Sequence, residues 1–243
     1  MAKIKVVKKK DVIDPVIAQT FFQTARAYLR DNIRQIGAIS LVVLVVGGAV
    51  GLWIMARERA EQTALTQFSE ALAIMERSTA GQHDNATYYE RALEKLTALQ
   101  QQHASTKAGT AALFYTGVCH FHLKHYDDAI AFYTKFLDQA GSGLRYLASF
   151  AYEGLGYAHE MKNQYAEAIS WFERQRKEGA GAVNAMAVLN LARCYEKRGD
   201  SAAACSLYRE FVEQNPGSSL KDLARFKIST ICDNNTGGKQ AQG

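Results

Sequence analysis

One stretch of the chain has no charged punctuation at all. Residues 36–56, IGAISLVVLVVGGAVGLWIMA, contain no charged side chain. About 20 apolar residues at 1.5 Å rise match the ~30 Å hydrocarbon core of a bilayer, so the run predicts a single transmembrane helix. Beyond it the pattern becomes helical and amphipathic, and no window alternates as a half-buried strand does. The only prolines are Pro15 and Pro216, and Ala, Leu, Glu, Gln and Lys recur throughout. Helix is therefore expected nearly everywhere after residue 57, and the fold class is all-α. The end of the chain, DNNTGGKQAQG from Asp233, has no apolar anchor and is expected to be disordered.

Charge gives the apolar run a direction. Lys3, Lys5, Lys8, Lys9, Lys10, Arg26, Arg30 and Arg34 precede it, against Asp11, Asp14 and Asp31. Behind it, Arg57, Glu58 and Arg59 nearly cancel. Basic flanks stay in the cytoplasm, which places residues 1–35 inside and everything after residue 56 on the exported side. A cleaved signal peptide has a shorter arm, an apolar core of roughly 7–15 residues and a small-residue cleavage site. Residues 53–55 (WIM) make a poor cleavage site, so an uncleaved signal-anchor is the reading. The net charge of +5 resides wholly in residues 1–36, and the remainder balances at 21 basic and 21 acidic side chains. No basic field is left on the exported part to attract nucleic acid.

The arm itself suits anionic headgroups. Asp14-Pro15 reads as an N-cap followed by a proline at the first helical position. Ile17, Phe21, Tyr28 and Ile36 then share one face, while Arg26, Arg30 and Arg34 repeat on another. This predicts an amphipathic helix on the membrane surface, with those arginines as its lipid contacts. A docking helix for a cytoplasmic partner is the alternative.

Three segments of the exported part superimpose. They are FYTGVCHFHLKHYDDAIAFYTKFL from Phe114, YEGLGYAHEMKNQYAEAISWFERQ from Tyr152 and LNLARCYEKRGDSAAACSLYREFV from Leu189. Aligning Gly117, Gly156 and Ala192 brings Ala129, Ala168 and Ala204 into register, and then Tyr133, Phe172 and Tyr208. Small residues let two helices approach, and the later aromatic fills the recess against the next helix. One such pair cannot bury its apolar face alone, so pairs stack into a solenoid.

On these residues the chain resembles the tetratricopeptide repeat. Leu155, Gly156, Ala168 and Phe172 in the second copy carry the likeness, as do Leu191, Ala192, Tyr195, Ala204, Tyr208, Phe211 and Pro216 in the third. A degenerate copy precedes them over about 57–105, with the polar turn TAGQHDN at its centre and Ala92 and Leu96 at the corresponding sites. The clear copies fall at 110–143, 149–182 and 185–218, and residues 219–232 resemble the capping helix of such arrays.

The same register gives the cysteines and histidines their places. Cys119 and Cys194 share one repeat position, where the second copy has Ala158, and Cys205 matches Ile130 and Ile169. All three read as small core residues. A local Cys194–Cys205 bridge is the alternative, and Cys232 has no repeat equivalent. His120 and His159 stand where the third copy has Tyr195 and read as packing aromatics. His122 and His125 make a pair without a carboxylate in sequence, so no metal site is expected. With no nucleophile elbow, zinc-protease motif or phosphate loop, the expectation is a non-enzyme without cofactor or small-molecule substrate.

In the family, the first helix of each pair lines a concave binding face. Carried over, its positions are Ala111, Phe114, Val118 and Phe121; Phe150, Glu153, Tyr157 and Glu160; and Met186, Leu189, Arg193 and Glu196. The clamp by which some relatives hold a C-terminal carboxylate is missing, since Phe114 and Val118 occupy its Lys and Asn positions. The groove starts apolar and aromatic and becomes mixed in charge, which suits extended or helical apolar protein segments. The whole arrangement resembles bacterial inner-membrane, periplasm-facing tetratricopeptide proteins of the YfgM type, ancillary to the SecYEG translocon. That implies an adaptor whose partners are the translocon, periplasmic chaperones or exported chains. A scaffold or assembly factor for an envelope, division or other membrane complex is the alternative.

Overall fold

A computed structural model of the protein describes residues 15–79 and 85–232. The basic residues ahead of Pro15, the Asp14 cap, most of the TAGQHDN turn and the tail from Asp233 lie outside the described residues. The chain divides into two compact units, Met1–Arg57 and Glu58–Gly243. Among the described residues every regular element is helical.

In the first unit, α1 (Pro15–Asp31) is separated by Asn32 from α2 (Ile33–Thr79). The Asn32 side chain donates to the Tyr28 carbonyl at 3.0 Å, where α1 ends. The apolar run lies inside α2, and from Ile39 to Met55 its large side chains are exposed on all sides. A helix that is apolar all round with nothing covering it is long and apolar enough to cross a membrane. At the end of the run the Arg57 guanidinium sits 5.4 Å over the Trp53 ring, an amphipathic pair of the kind found at membrane interfaces.

The second unit is a stack of helices. The C-terminal part of α2 packs on α3 (Asn85–His103), burying Ala64, Ala71, Tyr89, Ala92, Leu96 and Leu99. There follow α4 (Lys107–His122) and α5 (Tyr126–Gln139), a 3₁₀ turn at Ser142–Leu144, then α6 (Arg145–Met161) and α7 (Tyr165–Glu178). The stack ends with α8 (Ala182–Arg198), α9 (Ser201–Gln214) and α10 (Lys221–Ile231). Each helix packs on the next, and α4 also touches α6 as α6 touches α8. The first helices of successive pairs therefore form the inner layer.

The small-and-aromatic register does what its spacing implies. A Cβ on Gly117 would lie 2.7 Å from the Tyr133 ring, and one on Gly156 would lie 2.4 Å from the Phe172 ring. Tyr133 reaches further, because a Cβ on Gly154 of the following repeat would stand 2.5 Å from the same ring. The turn inside each pair has its own register. Lys124 (φ 64°), Asn163 (φ 58°) and Gly199 (φ 88°) all adopt the left-handed conformation at equivalent places. That backbone reverses the chain so that the second helix starts beside the end of the first.

The start of α4 is capped from outside the repeat. Both Glu61 carboxylate oxygens, on α2, accept from the backbone N–H groups of Lys107 and Ala108 at 2.9 and 3.1 Å. Thr106 accepts from Gly109 N–H at 2.9 Å. Three otherwise orphaned donors are thus satisfied, and the carboxylate faces the positive end of the helix dipole.

The far end of the stack corrects the reading of the cysteines. Cys205 on α9 is bonded to Cys232, just past α10, with their Cα atoms 5.8 Å apart. In the earlier repeats the equivalent position meets another repeat, but in the last it faces the capping helix. Cys194 is free and buried, so the Cys194–Cys205 alternative does not hold, while Cys119 remains the buried small residue expected. Burial pushes the Cys119 and Cys194 thiols up to about 12.

Candidate functional site

The inner-layer positions sort into three groups. Phe114 and Leu189 turn into the core with Ala111. The Phe114 ring packs against Tyr115 at 5.0 Å and against Tyr133 and Phe136 at 5.7 Å. Phe150 is 45% exposed, and the neighbouring Tyr146 on the same helix is also open. Val118, Phe121 and Met186 are half-buried. Phe121 stands 6.4 Å from Tyr157 between ring centroids, so α4 and α6 share an aromatic surface.

The charged positions are tied to one another. Glu160 on α6 is buried, and Arg193 on α8 grips it through Nε at 2.8 Å and Nη2 at 2.7 Å. Lys197 adds a contact to the same carboxylate at 2.9 Å. Arg193 also donates to Asn190 Oδ1 at 3.0 Å and lies 5.3 Å over the Tyr157 ring. Tyr157 donates to Asn190 Oδ1 at 3.1 Å, and Asn190 donates to Glu153 at 3.3 Å. A separate set of contacts centres on Glu196, which accepts from Tyr208 at 3.0 Å and from Lys227 of α10 at 2.8 Å.

Burial by itself drives the Glu160 carboxyl upward, but the Arg193 and Lys197 hydrogen bonds and charges outweigh it and hold the group below its ordinary range. Burial opposes charge on Arg193 too, and the Glu160 carboxylate again prevails and raises its pKa. Glu153, Tyr157, Glu160 and Arg193 are therefore a cross-repeat brace as well as a surface, while Glu196 ties the third repeat to α10. Fully satisfied networks of this kind fix one geometry. Asn190, completely buried at its centre, is absent from the sequence reading. Its repeat equivalents are Tyr115 and Gly154, so no periodic signal marks it.

The histidines also sort differently from the sequence expectation. His122 leaves the cluster and stacks on Tyr89 at 4.3 Å. His120 does pack as an aromatic, stacked on Phe132 at 5.2 Å, but it pairs with His125 and Asp128 rather than standing apart. Asp128 lies in the first turn of α5, and only the left-handed turn at Lys124 brings it back toward His120. Arg26 and Arg30 on α1 and Arg34 on α2 are exposed, on either side of the break at Asn32.

Comparison with known proteins bears on the repeats. Tetratricopeptide-repeat family models match residues 82–144 and 186–218. No curated protein sequence matches the chain. Among solved structures, a Podosopora anserina kinesin light chain with nearly identical TPR-like repeats superimposes with a TM-score of 0.58 at 13% identity. That match covers 75% of this chain and 91% of the other, and a point-substituted form of the same protein gives the same figures. The MamA protein matches at a TM-score of 0.48 and 17% identity, over 73% of this chain and 96% of its own. The fold is thus a tetratricopeptide-like solenoid, an architecture whose extended concave surface serves protein–protein interaction.

Proposed function

We propose that the protein is a membrane-tethered adaptor whose solenoid presents its inner face to apolar protein segments outside the cytoplasm. The observation that carries this reading is the composition of that face. Exposed Phe150 with half-buried Val118 and Phe121 offers an aromatic and aliphatic surface, and Met186 continues it beyond a wall already neutralised by its own ion pairs. A partner meeting this face gains from apolar burial and displaces little strongly held polar structure.

The topology follows from charge. The apolar run of α2 spans a bacterial inner membrane, the basic arm stays in the cytoplasm, and Arg26, Arg30 and Arg34 contact the headgroups. The Cys205–Cys232 disulfide supports export, since such bonds persist in oxidising compartments such as the periplasm. Emerging exported chains, the Sec translocon and periplasmic chaperones are the partners this placement favours.

The test is site-specific photo-crosslinking from positions 118, 121 and 150 of the full chain in intact cells, with products identified by mass spectrometry. Capture of translocon subunits, exported chains or chaperones is the expected result. Capture confined to division or cell-wall machinery would overturn the adaptor reading in favour of a scaffold. Deleting residues 1–34 should leave these crosslinks in place.

A further inference from the structure

Between α4 and α5, three side chains with metal-binding chemistry converge. His120 is in the last turn of α4, His125 immediately precedes α5, and Asp128 is in the first turn of α5. One donor atom from each lies within 4.8 Å of the others. We propose that His120, His125 and Asp128 form a three-ligand site for a divalent transition metal of the zinc class, with solvent completing the coordination shell.

The second repeat supplies an internal control. There the equivalents are His159, Gln164 and Glu167. His159 Nδ1 meets Gln164 Oε1 at 2.8 Å, so that histidine is satisfied within the protein. In the first repeat the glutamine is replaced by His125. His120 Nδ1 is then buried with no hydrogen-bond partner, and its nearest carboxylate oxygen, on Asp128, is 3.8 Å away. Buried polar nitrogens without a protein partner are uncommon, and each calls for an ion, a bound water or a functional role. The third repeat has Tyr195, Asp200 and Ala203 at these places and cannot form the site.

The geometry suits the chemistry. Stacking on Phe132 fixes the His120 ring plane, while His125 and Asp128 are exposed and free to turn. Bonds of about 2.0–2.2 Å to imidazole and carboxylate need donors roughly 3–3.5 Å apart, a closure that rotation of those two side chains supplies. Two imidazoles and one carboxylate form a borderline donor set that favours zinc over calcium or magnesium. Neighbouring Asp127 is engaged elsewhere, by Lys162 of the next repeat.

The test uses the tag-free full chain in detergent, stripped with a chelator and titrated with zinc by calorimetry. Cobalt serves as an optical probe of the coordination shell. The expected result is one saturable site of micromolar affinity or tighter. His125→Gln recreates the His159–Gln164 pairing, so it should retain the wild-type unfolding temperature while weakening zinc at least tenfold. Asp128→Asn should weaken zinc likewise and alter the cobalt spectrum, and His122→Gln should leave both unchanged. Absence of saturable zinc binding overturns the proposal, as does equal affinity in wild type and His125→Gln, or an equal loss in His122→Gln.

Discussion

Replacing Glu160 with glutamine probes the brace between the second and third repeats, because it keeps the shape and removes the charge. Three charge-assisted contacts of 2.7 to 2.9 Å converge on the buried carboxylate. Breaking a buried pair costs about 3–5 kcal/mol when the abandoned partner stays dry. Here Arg193 is 35% and Lys197 45% exposed, so both rehydrate, and the glutamine oxygen still accepts one bond. The expected loss is therefore about 2–3 kcal/mol, a drop of roughly 4–12 °C in the unfolding midpoint for a domain of this size. Thermal unfolding of the full chain in detergent, followed by far-ultraviolet circular dichroism, measures it. Acid supplies a second check with a definite sign. Glu160 has a folded pKa below its unfolded value, so its contribution is complete above the ordinary glutamate value near 4.3. It disappears as pH falls through the lower folded value. The wild-type and Glu160→Gln midpoints should differ at neutral pH and converge in acid. A gap that persists unchanged below that window, or no gap at neutrality, refutes the assignment of this network.

Three other perturbations read different terms. Gly156→Ala gains up to about 1 kcal/mol of helix propensity but drives a methyl into the fully buried Phe172 ring, an overpacking cost of about 1–3 kcal/mol. A net loss is expected in the urea midpoint, and Phe172→Leu should erase it in a double-mutant cycle; a stabilised single variant would show the recess to be loose. Gln175 is buried with Oε1 unpartnered where the sibling repeats have Phe136 and Phe211. Gln175→Leu should therefore raise the unfolding temperature by the equivalent of about 1 kcal/mol, and a fall would mean that the amide is satisfied after all. Non-reducing peptide mapping should find Cys205 joined to Cys232, with Cys119 and Cys194 unlabelled by maleimide in the native protein. Reduction should destabilise the terminal pair by about 3–4 kcal/mol for a separation of 27 residues, and a cap indifferent to reductant contradicts this.

How legible all this was depends on which residues repeat. The pairing of Gly117 with Tyr133 and of Gly156 with Phe172 recurs, so spacing alone announces it. The same register places Cys119, Cys194 and Cys205 on buried positions but is silent about Cys232, which belongs to a helix outside the repeat. The Glu160–Arg193 grip was invisible for a related reason. It joins two non-equivalent positions in different repeats, and which ones meet depends on how one pair is rotated on the next. His120, His125 and Asp128 illustrate the opposite failure. Their spacing was in plain view, but the left-handed backbone at Lys124 decides that His125 answers His120 instead of His122.

Tyr133 fills a recess in its own repeat and another, at Gly154, in the one that follows. A single ring thus has two owners, and the boundary drawn by sequence periodicity is not a boundary in cooperativity. Excising or duplicating the first repeat alone would leave either an empty slot at Gly154 or a ring without its second wall, so the smallest exchangeable module spans α4 to α7. The next seam adds a buried ionic grip to its apolar packing: Ile169 and Phe172 meet Leu191 and Cys194, and Glu160 of α6 holds Arg193 of α8. Cold weakens the apolar packing of both seams, whereas acid also loosens the buried Glu160 grip of the second, which gives neighbouring parts of one solenoid different environmental sensitivities.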